Sequence, residues 1–176
     1  VEFAPDVSAV DSIPLTRYYN NLVILRGVSK FFAAPGLRLG YAVTGNGNLL
    51  ADINSHKNPW TINSLAAVAG ELMFTDTDYI HRTRELIEQE RSRVYQELSS
   101  WDSLKVYKPT ANFILARIEK EGVTADDLFD HAIRKGLMIR NCSTFPFLDN
   151  RYFRFCFMLP EKNTELLNCL SEMLQQ

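Results

Sequence analysis

The chain has 176 residues, a length that suits one ordinary domain or two small ones. Hydrophobic residues make up 46% and charged residues 23%, as in an ordinary globular protein, and the net charge of −2 argues against a nucleic-acid partner or a basic membrane-binding face. The sequence contains no apolar run of spanning length and no signal-peptide pattern, so we predict a cytoplasmic protein with no membrane partner. Cys142, Cys156 and Cys169 have no metal-ligand spacing, and we expect reduced thiols and no metal site.

The first part of the chain predicts a strand, a loop, a second strand and two helices. Apolar runs separated by glycine and proline residues indicate two strands, over about 22–27 and 38–44, and a helix over about 47–56. Pro59 suits the first position of a second helix, which we expect to end near Phe74. We expect close packing at its small alanines and Gly70, and we expect Trp60 to lie in the core. The residues of its predicted apolar stripe are Leu65, Ala66, Ala69, Leu72 and Met73.

The second part predicts a long charged helix and then a compact α/β unit. Asp76 or Thr77 can cap the long helix, over about 78–99, whose many charges are expected to face solvent. The order that follows is strand-strand-helix-strand-strand-helix, which is typical of a two-layer unit. The strands are expected over about 104–107, 111–118, 137–140 and 152–157. Thr124 and Asp127 predict a capping box for a helix that Gly136 is expected to end, and Pro160 starts the last helix.

The loop between the first two strands contains Ser29, Lys30 and Arg38. A lysine can form a Schiff base with a carbonyl cofactor. An arginine presents a planar fork to a phosphate, and a serine hydroxyl can join it. A bare Ser-Lys pair is most often on a solvated surface. The Pro-Gly-Leu-Arg-Leu-Gly-Tyr run at 35–41 favours a cofactor site instead.

This pattern resembles the cofactor-lysine signature of the fold-type-I, class I/II aminotransferases, which use pyridoxal 5'-phosphate. The resemblance implies that Lys30 forms the Schiff base and that Ser29 and Arg38 contact the cofactor phosphate. It also implies an α/β fold that is the C-terminal part of a PLP-dependent transferase fold. Residues 1–85 would then be the C-terminal portion of the PLP-binding large domain, and residues 86–176 a small C-terminal α/β domain.

The start of the chain carries a further expectation from this resemblance. Residues 1–3 look like the tail of a strand, just after the aspartate that pairs with the cofactor's pyridine nitrogen in the family. We therefore expect the 176 residues to be the C-terminal half of a longer enzyme and to be inactive alone. Family members are usually homodimers, so a homodimer is expected for the full-length protein. A non-catalytic binding or assembly module is the alternative.

Two arginines in the second part are candidates for substrate binding. Arg154 alternates with Phe153 and Phe155 on an apolar strand, so its side chain is expected on the opposite face. A guanidinium there needs a partner, either an internal carboxylate or an anionic substrate. The resemblance implies that Arg154 binds the substrate carboxylate and that Arg140 reaches a substrate phosphate. A surface salt bridge is the alternative for Arg140.

The stretches 59–63 and 139–143 resemble the histidinol-phosphate aminotransferase and threonine-phosphate decarboxylase branch of the family. The resemblance therefore implies an enzyme acting on an amino acid or a phosphorylated amino acid or amine. We favour threonine-phosphate decarboxylation, a step of cobalamin biosynthesis. Histidinol-phosphate or related amino acid aminotransfer is the alternative.

Overall fold

The computed structural model describes residues 1–175 and divides them into two compact units. The first unit comprises Val1–Glu2 and Asp6–Ile80, and the second comprises Phe3–Pro5 and the residues from His81 onward. The predicted division into a portion of a large domain (residues 1–85) and a small domain (residues 86–176) refers to the domains of a complete enzyme, and it stays a prediction. Among residues 1–175, no helix combines the length and the apolar character needed to cross a membrane.

The first unit is built on a hairpin of two strands. Its elements are α1 (Val7–Val10), a 3-10 helix (Ile13–Arg17), β1 (Val23–Gly27), a second 3-10 helix (Pro35–Leu37), β2 (Gly40–Thr44), α2 (Gly47–His56) and α3 (Ser64–Thr75). The strands are antiparallel, and Gly27 lies opposite Gly40 at the loop end. A Cβ on Gly40 would lie 2.9 Å from the carbonyl oxygen of Arg26, so this close pairing requires glycine. Both predicted strands and the first predicted helix are confirmed.

Helix α3 begins at Ser64, so the prediction that Pro59 starts it was wrong. Asn63 is the N-cap, and its side-chain oxygen accepts from the backbone N–H of Ala66 at 2.8 Å. Trp60 has a φ of 62°, in the left-handed region, so the backbone after Pro59 does not continue into a helix. Trp60 is 95% exposed, and its predicted place in the core was also wrong.

The face of α3 that is buried carries its smallest residues. Ala66 and Gly70 are buried, whereas Leu65 and Leu72 are 76% and 67% exposed. A Cβ on Gly70 would lie 2.9 Å from the side chain of Leu39, so the loop that follows the second 3-10 helix packs closely on α3. The close packing predicted for the alanines and Gly70 is therefore confirmed, whereas the inward orientation predicted for Leu65 and Leu72 was wrong, because close approach selects small side chains.

The second unit is a four-stranded antiparallel sheet packed against helices. Its elements are the end of α4 (Thr77–Ser99), then β3 (Leu104–Tyr107), β4 (Phe113–Ile118), α5 (Ala125–Arg134), β5 (Arg140–Asn141), β6 (Tyr152–Cys156) and α6 (Pro160–Leu174). The strand order is β3-β4-β6-β5. This confirms the predicted element order. The strand expected over 137–140 is reduced to β5, since it pairs with β6 only through two residues.

One face of this sheet forms the core of the second unit. Alternate residues of β4 and β6 are buried, including Ile114, Ala116, Phe153 and Phe155. Residues between them, such as Arg154, lie on the opposite face and are only partly buried. The predicted orientation of Arg154 is therefore confirmed, and the face of the sheet that carries it is only partly buried.

A buried polar network joins α4 to the start of α6. Glu90 accepts hydrogen bonds from Arg93 Nε at 3.0 Å and Nη2 at 2.6 Å, and from Asn163 Nδ2 at 2.7 Å. Asn163 is fully buried, and it also bonds both the N–H and the carbonyl of Met158 at 2.9 Å. The hydrogen bonds from Arg93 lower the pKa of Glu90. This network contradicts the prediction that the charges of α4 all face solvent.

Helix α5 begins and ends as the sequence predicts. Thr124 is the N-cap, and its hydroxyl accepts from the N–H of Asp127 while the Asp127 carboxylate accepts from the N–H of Thr124. Gly136 follows the helix with a φ of 74°, a conformation that favours glycine. The capping box and the glycine stop are confirmed.

Candidate active site

Ser29 and Lys30 lie in a turn that directly follows β1. Val28 and Phe31, on either side of the pair, are buried, with exposures of 1% and 5%. The N–H of Phe32 donates to the carbonyl of Val28 at 3.2 Å, and the N–H of Ala33 donates to the carbonyl of Lys30 at 3.1 Å. Lys30 itself is exposed. The turn is therefore anchored by its neighbours while the amine of Lys30 faces outward.

Tyr79, at the start of α4, holds the same turn from the side. Its hydroxyl donates to the carbonyl of Phe31 at 2.9 Å, and its ring stacks on Phe32 with centroids 5.6 Å apart. The carboxylate of Asp76 accepts from the N–H of Tyr79 at 2.9 Å, which caps α4 as predicted. The role of Tyr79 was missed, because no local motif links it to a loop 48 residues earlier.

Arg38 lies at the far end of the same loop in an unusual backbone conformation. Its φ of 53° and ψ of 39° are left-handed, which is uncommon outside glycine and often marks a functional position. One guanidinium nitrogen, Nη1, donates to the carbonyl of Pro35 at 3.0 Å. The side-chain amide of Asn63 donates to the carbonyl of Leu37 at 3.3 Å, so the start of α3 also holds this segment.

The loop 28–39 thus carries all three residues predicted for the cofactor site. The N–H of Val28 donates to the carbonyl of Leu39 at 3.2 Å, which extends the hairpin and closes the loop. Ser29 and Lys30 enter the loop on one side, and Arg38 leaves it on the other. A hydroxyl, an outward amine and an exposed guanidinium are therefore presented by one closed loop.

Arg140 and Arg154 lie directly opposite each other on β5 and β6 in the second unit. Like charges in opposed positions destabilise a strand pair unless a counter-charge is present. Within residues 1–175, neither guanidinium forms an ion pair with a carboxylate. Burial raises the pKa of the neighbouring Cys142 thiol, and the charges of Arg154 and Arg140 partly oppose that rise. Two cations therefore converge here, which suits an anionic ligand.

The guanidinium of Arg154 lies over two aromatic rings. Its central carbon lies 5.2 Å from the ring centroid of Phe113 and 5.3 Å from that of Phe145. Phe113 begins β4, whereas Phe145 belongs to the segment between β5 and β6. Contacts of this kind attract a cation through the ring faces and shield it from water. Sequence reasoning missed both rings, because the register that places them near Arg154 is not local.

The family model for aminotransferase class I and II matches residues 2–170. A threonine-phosphate decarboxylase of Salmonella typhimurium is 34% identical, over 99% of this chain and 46% of its own length. A histidinol-phosphate aminotransferase of Archaeoglobus fulgidus is 33% identical, over 98% of this chain and 47% of its own. The crystal structure of the histidinol-phosphate aminotransferase from Clostridium acetobutylicum aligns with a TM-score of 0.91 and 35% identity, covering 99% of this chain and 52% of that chain.

These matches extend over almost the whole chain and include both units. The chain spans about half the length of the curated relatives it matches. Its α/β fold is correspondingly similar to about half of the matched aminotransferase structure. The chain therefore belongs to the aminotransferase class I and II family, whose members are enzymes that depend on pyridoxal phosphate.

Proposed function

We propose that the intact protein binds pyridoxal 5'-phosphate on the loop 28–39 and acts on a phosphorylated amino acid or amine. Lys30 would hold the cofactor covalently through its outward amine. Ser29 and Arg38 would bind the phosphate, because a hydroxyl and a charged planar fork match its oxygens. The exposed amine and the left-handed backbone of Arg38, both in one anchored loop, fit such a group.

When bound, the cofactor supplies an electron sink for the bond that breaks at the substrate α-carbon. Lys30 would move a proton to or from that carbon as the general acid/base. The anchoring of its turn by Val28, Phe31 and Tyr79 keeps the amine in one place, which favours proton transfer over a fixed short distance.

The observation that carries the substrate proposal is the pairing of Arg140 with Arg154. Arg154 would bind the α-carboxylate, for which its planar fork allows two parallel hydrogen bonds. Arg140 would bind the second anionic group, the phosphate ester. A ligand with two anionic groups would relieve the repulsion between these opposed guanidinium groups.

Threonine-phosphate decarboxylation is the favoured reaction, supported by the similarity to the Salmonella typhimurium enzyme. It would place this protein in cobalamin biosynthesis. The test is to incubate the intact protein, loaded with pyridoxal phosphate, with threonine phosphate. Carbon dioxide released without 2-oxoglutarate is the expected result. Amino transfer that requires 2-oxoglutarate would contradict decarboxylation.

The second candidate is histidinol-phosphate or related amino acid aminotransfer, favoured by the similarity to the Clostridium acetobutylicum structure. It predicts amino transfer from histidinol phosphate to 2-oxoglutarate by the same preparation. Measuring both reactions side by side separates the two candidates. The absence of both would leave another substrate within the family.

The role of Lys30 has its own test with a matched control. Borohydride reduction of the loaded protein is expected to fix the cofactor on Lys30, as read from peptide masses. Lys30→Ala should lower turnover by about 100-fold or more. Lys57→Ala, at an exposed lysine after α2, should change neither result. A label on Lys57, or on neither lysine, would contradict the assignment.

We further propose a cytoplasmic homodimer for the full-length protein. The alternative, a non-catalytic module, predicts that the intact protein has no yellow chromophore with pyridoxal phosphate. Analytical ultracentrifugation of the intact protein tests the homodimer, and its absorption spectrum with pyridoxal phosphate tests the non-catalytic alternative.

A further inference from the structure

The guanidinium of Arg154 lies over the ring of a loop residue that comes before it in the sequence. Arg154 is half-buried on β6, and two phenylalanine rings lie under its guanidinium within 5.2–5.3 Å. Phe113 is fixed by its place on β4. Phe145 is 40% exposed and is supplied by the segment that connects β5 to β6. The side chain of an arginine is flexible, so these rings decide where its charged group lies.

The segment that supplies Phe145 is held by its own hydrogen bonds. The N–H of Phe145 donates to the carbonyl of Cys142 at 2.9 Å, and the N–H of Leu148 donates to the carbonyl of Phe145 at 3.2 Å. The side-chain oxygen of Asn141 accepts from the N–H of Ser143 at 2.8 Å. The backbone at Phe145 is therefore held in a defined turn, from which its ring reaches Arg154.

We propose that Phe145 is a positioning residue that sets the affinity of Arg154 for the α-carboxylate of the substrate. This inference rests on the proposed function of Arg154. A ring that covers a guanidinium face leaves its N–H edge for hydrogen bonds and removes competing water from the face. A planar carboxylate then meets a pre-oriented fork, and less side-chain freedom is lost on binding.

The proposal predicts that replacing Phe145 weakens the binding of ligands that carry a carboxylate. It predicts no change in the binding of ligands that differ only in lacking the carboxylate. Threonine O-phosphate and its decarboxylated counterpart, 1-aminopropan-2-ol O-phosphate, form such a pair. Phe145→Leu is expected to weaken binding of the first by about 3- to 12-fold, the range that corresponds to ordering one flexible side chain on binding. Binding of the second should change by less than about 2-fold.

Calorimetric titration of the intact protein carrying Lys30→Ala, so that threonine phosphate is not converted during the titration, gives these affinities. Phe145→Tyr keeps the ring and should restore carboxylate binding. Phe147→Leu is the matched control, since Phe147 lies in the same segment, is fully exposed and should affect neither ligand. Equal weakening of both ligands by Phe145→Leu, or no weakening of either, would overturn the proposal.

A substrate-independent measurement separates this inference from the proposed function. The Nε–H resonance of Arg154, assigned by its loss in Arg154→Lys, should move in Phe145→Leu and stay in place in Phe147→Leu. If the protein with Phe145 unchanged binds neither ligand, the proposed function is refuted, and the proposed positioning of a carboxylate is refuted with it. A resonance that does not respond to Phe145→Leu would overturn the ring contact itself.

Discussion

Replacing Asn163 by alanine is predicted to destabilise the second unit more than any exposed substitution in α6. The side chain of Asn163 is fully buried and makes three hydrogen bonds of 2.7–2.9 Å. Two of them join the backbone N–H and carbonyl of Met158, and the third joins the carboxylate of Glu90. Alanine would leave the part-buried N–H and carbonyl of Met158 without these partners.

The size of the effect follows from the groups left unpaired. A buried polar group without a partner costs about 1–3 kcal/mol. Glu90 keeps both hydrogen bonds from Arg93, so its charge stays compensated and adds little. The Met158 N–H loses its partner outright, and its carbonyl loses one as well. Because the Met158 groups are only part-buried, water can replace some of the lost bonding, and we expect Asn163→Ala to lower the free energy of unfolding by about 1–3 kcal/mol.

Urea unfolding of the intact protein, followed by tryptophan fluorescence, measures this change. Trp101 reports on the relevant core, since it is 4% exposed and belongs to the same hydrophobic cluster as residues of α6. Asn168→Ala is the matched control, because Asn168 is exposed on the same helix and should change stability by less than about 0.5 kcal/mol. A loss for Asn163→Ala as small as that of the control would refute the reasoning.

Two further predictions concern acid stability and a pair of glycines. The pKa of Glu90 lies below its ordinary value of 4.5. The stability that its ionised form contributes is therefore complete above that value and is lost as the pH falls through the lower pKa of the folded state. Glu90→Gln should therefore reduce the fall in the urea midpoint as the pH is lowered. An unchanged fall would contradict the buried role of Glu90. A Cβ on Gly45 would overlap the carbonyl oxygen of Thr16, whereas Gly47 has open space at the start of α2. In the same assay, Gly45→Ala should lower the free energy of unfolding by about 1–3 kcal/mol. Gly47→Ala should raise it by about 0.4–1 kcal/mol. Changes of the same sign would contradict the packing described for these two glycines.

Features set by neighbouring residues could be predicted from the sequence. The hairpin around loop 28–39 followed from apolar runs separated by glycine and proline, and the cap of α5 followed from Thr124 and Asp127. Pro59 misled the prediction for α3, because the side chain of Asn63 provides a stronger start a few residues later. Local signals therefore compete, and the proline preference alone did not decide the start.

Features set by residues far apart in the chain could not be predicted. The partner of Asn163 on α4 lies 73 residues earlier, and the charged residues of that helix were expected to face solvent. Similarly, the sequence placed Arg154 on the polar face of its strand but gave no register for β5. Only the observed pairing brings Arg140 opposite Arg154. The candidate site was thus predicted as separate residues, and their arrangement came from tertiary pairing.

The distribution of counter-charges in the second unit separates structural arginines from candidate binding arginines. Arg117 pairs with Glu119 at 2.9 Å, and Arg151 pairs at 2.8 Å with an aspartate two residues before it. Arg140 and Arg154 are opposed to each other instead, and Arg154 lies on aromatic rings, which attract a cation without neutralising its charge. The substrate proposal would supply the counter-charge that these two cations lack within residues 1–175, as an anion bound from outside the chain.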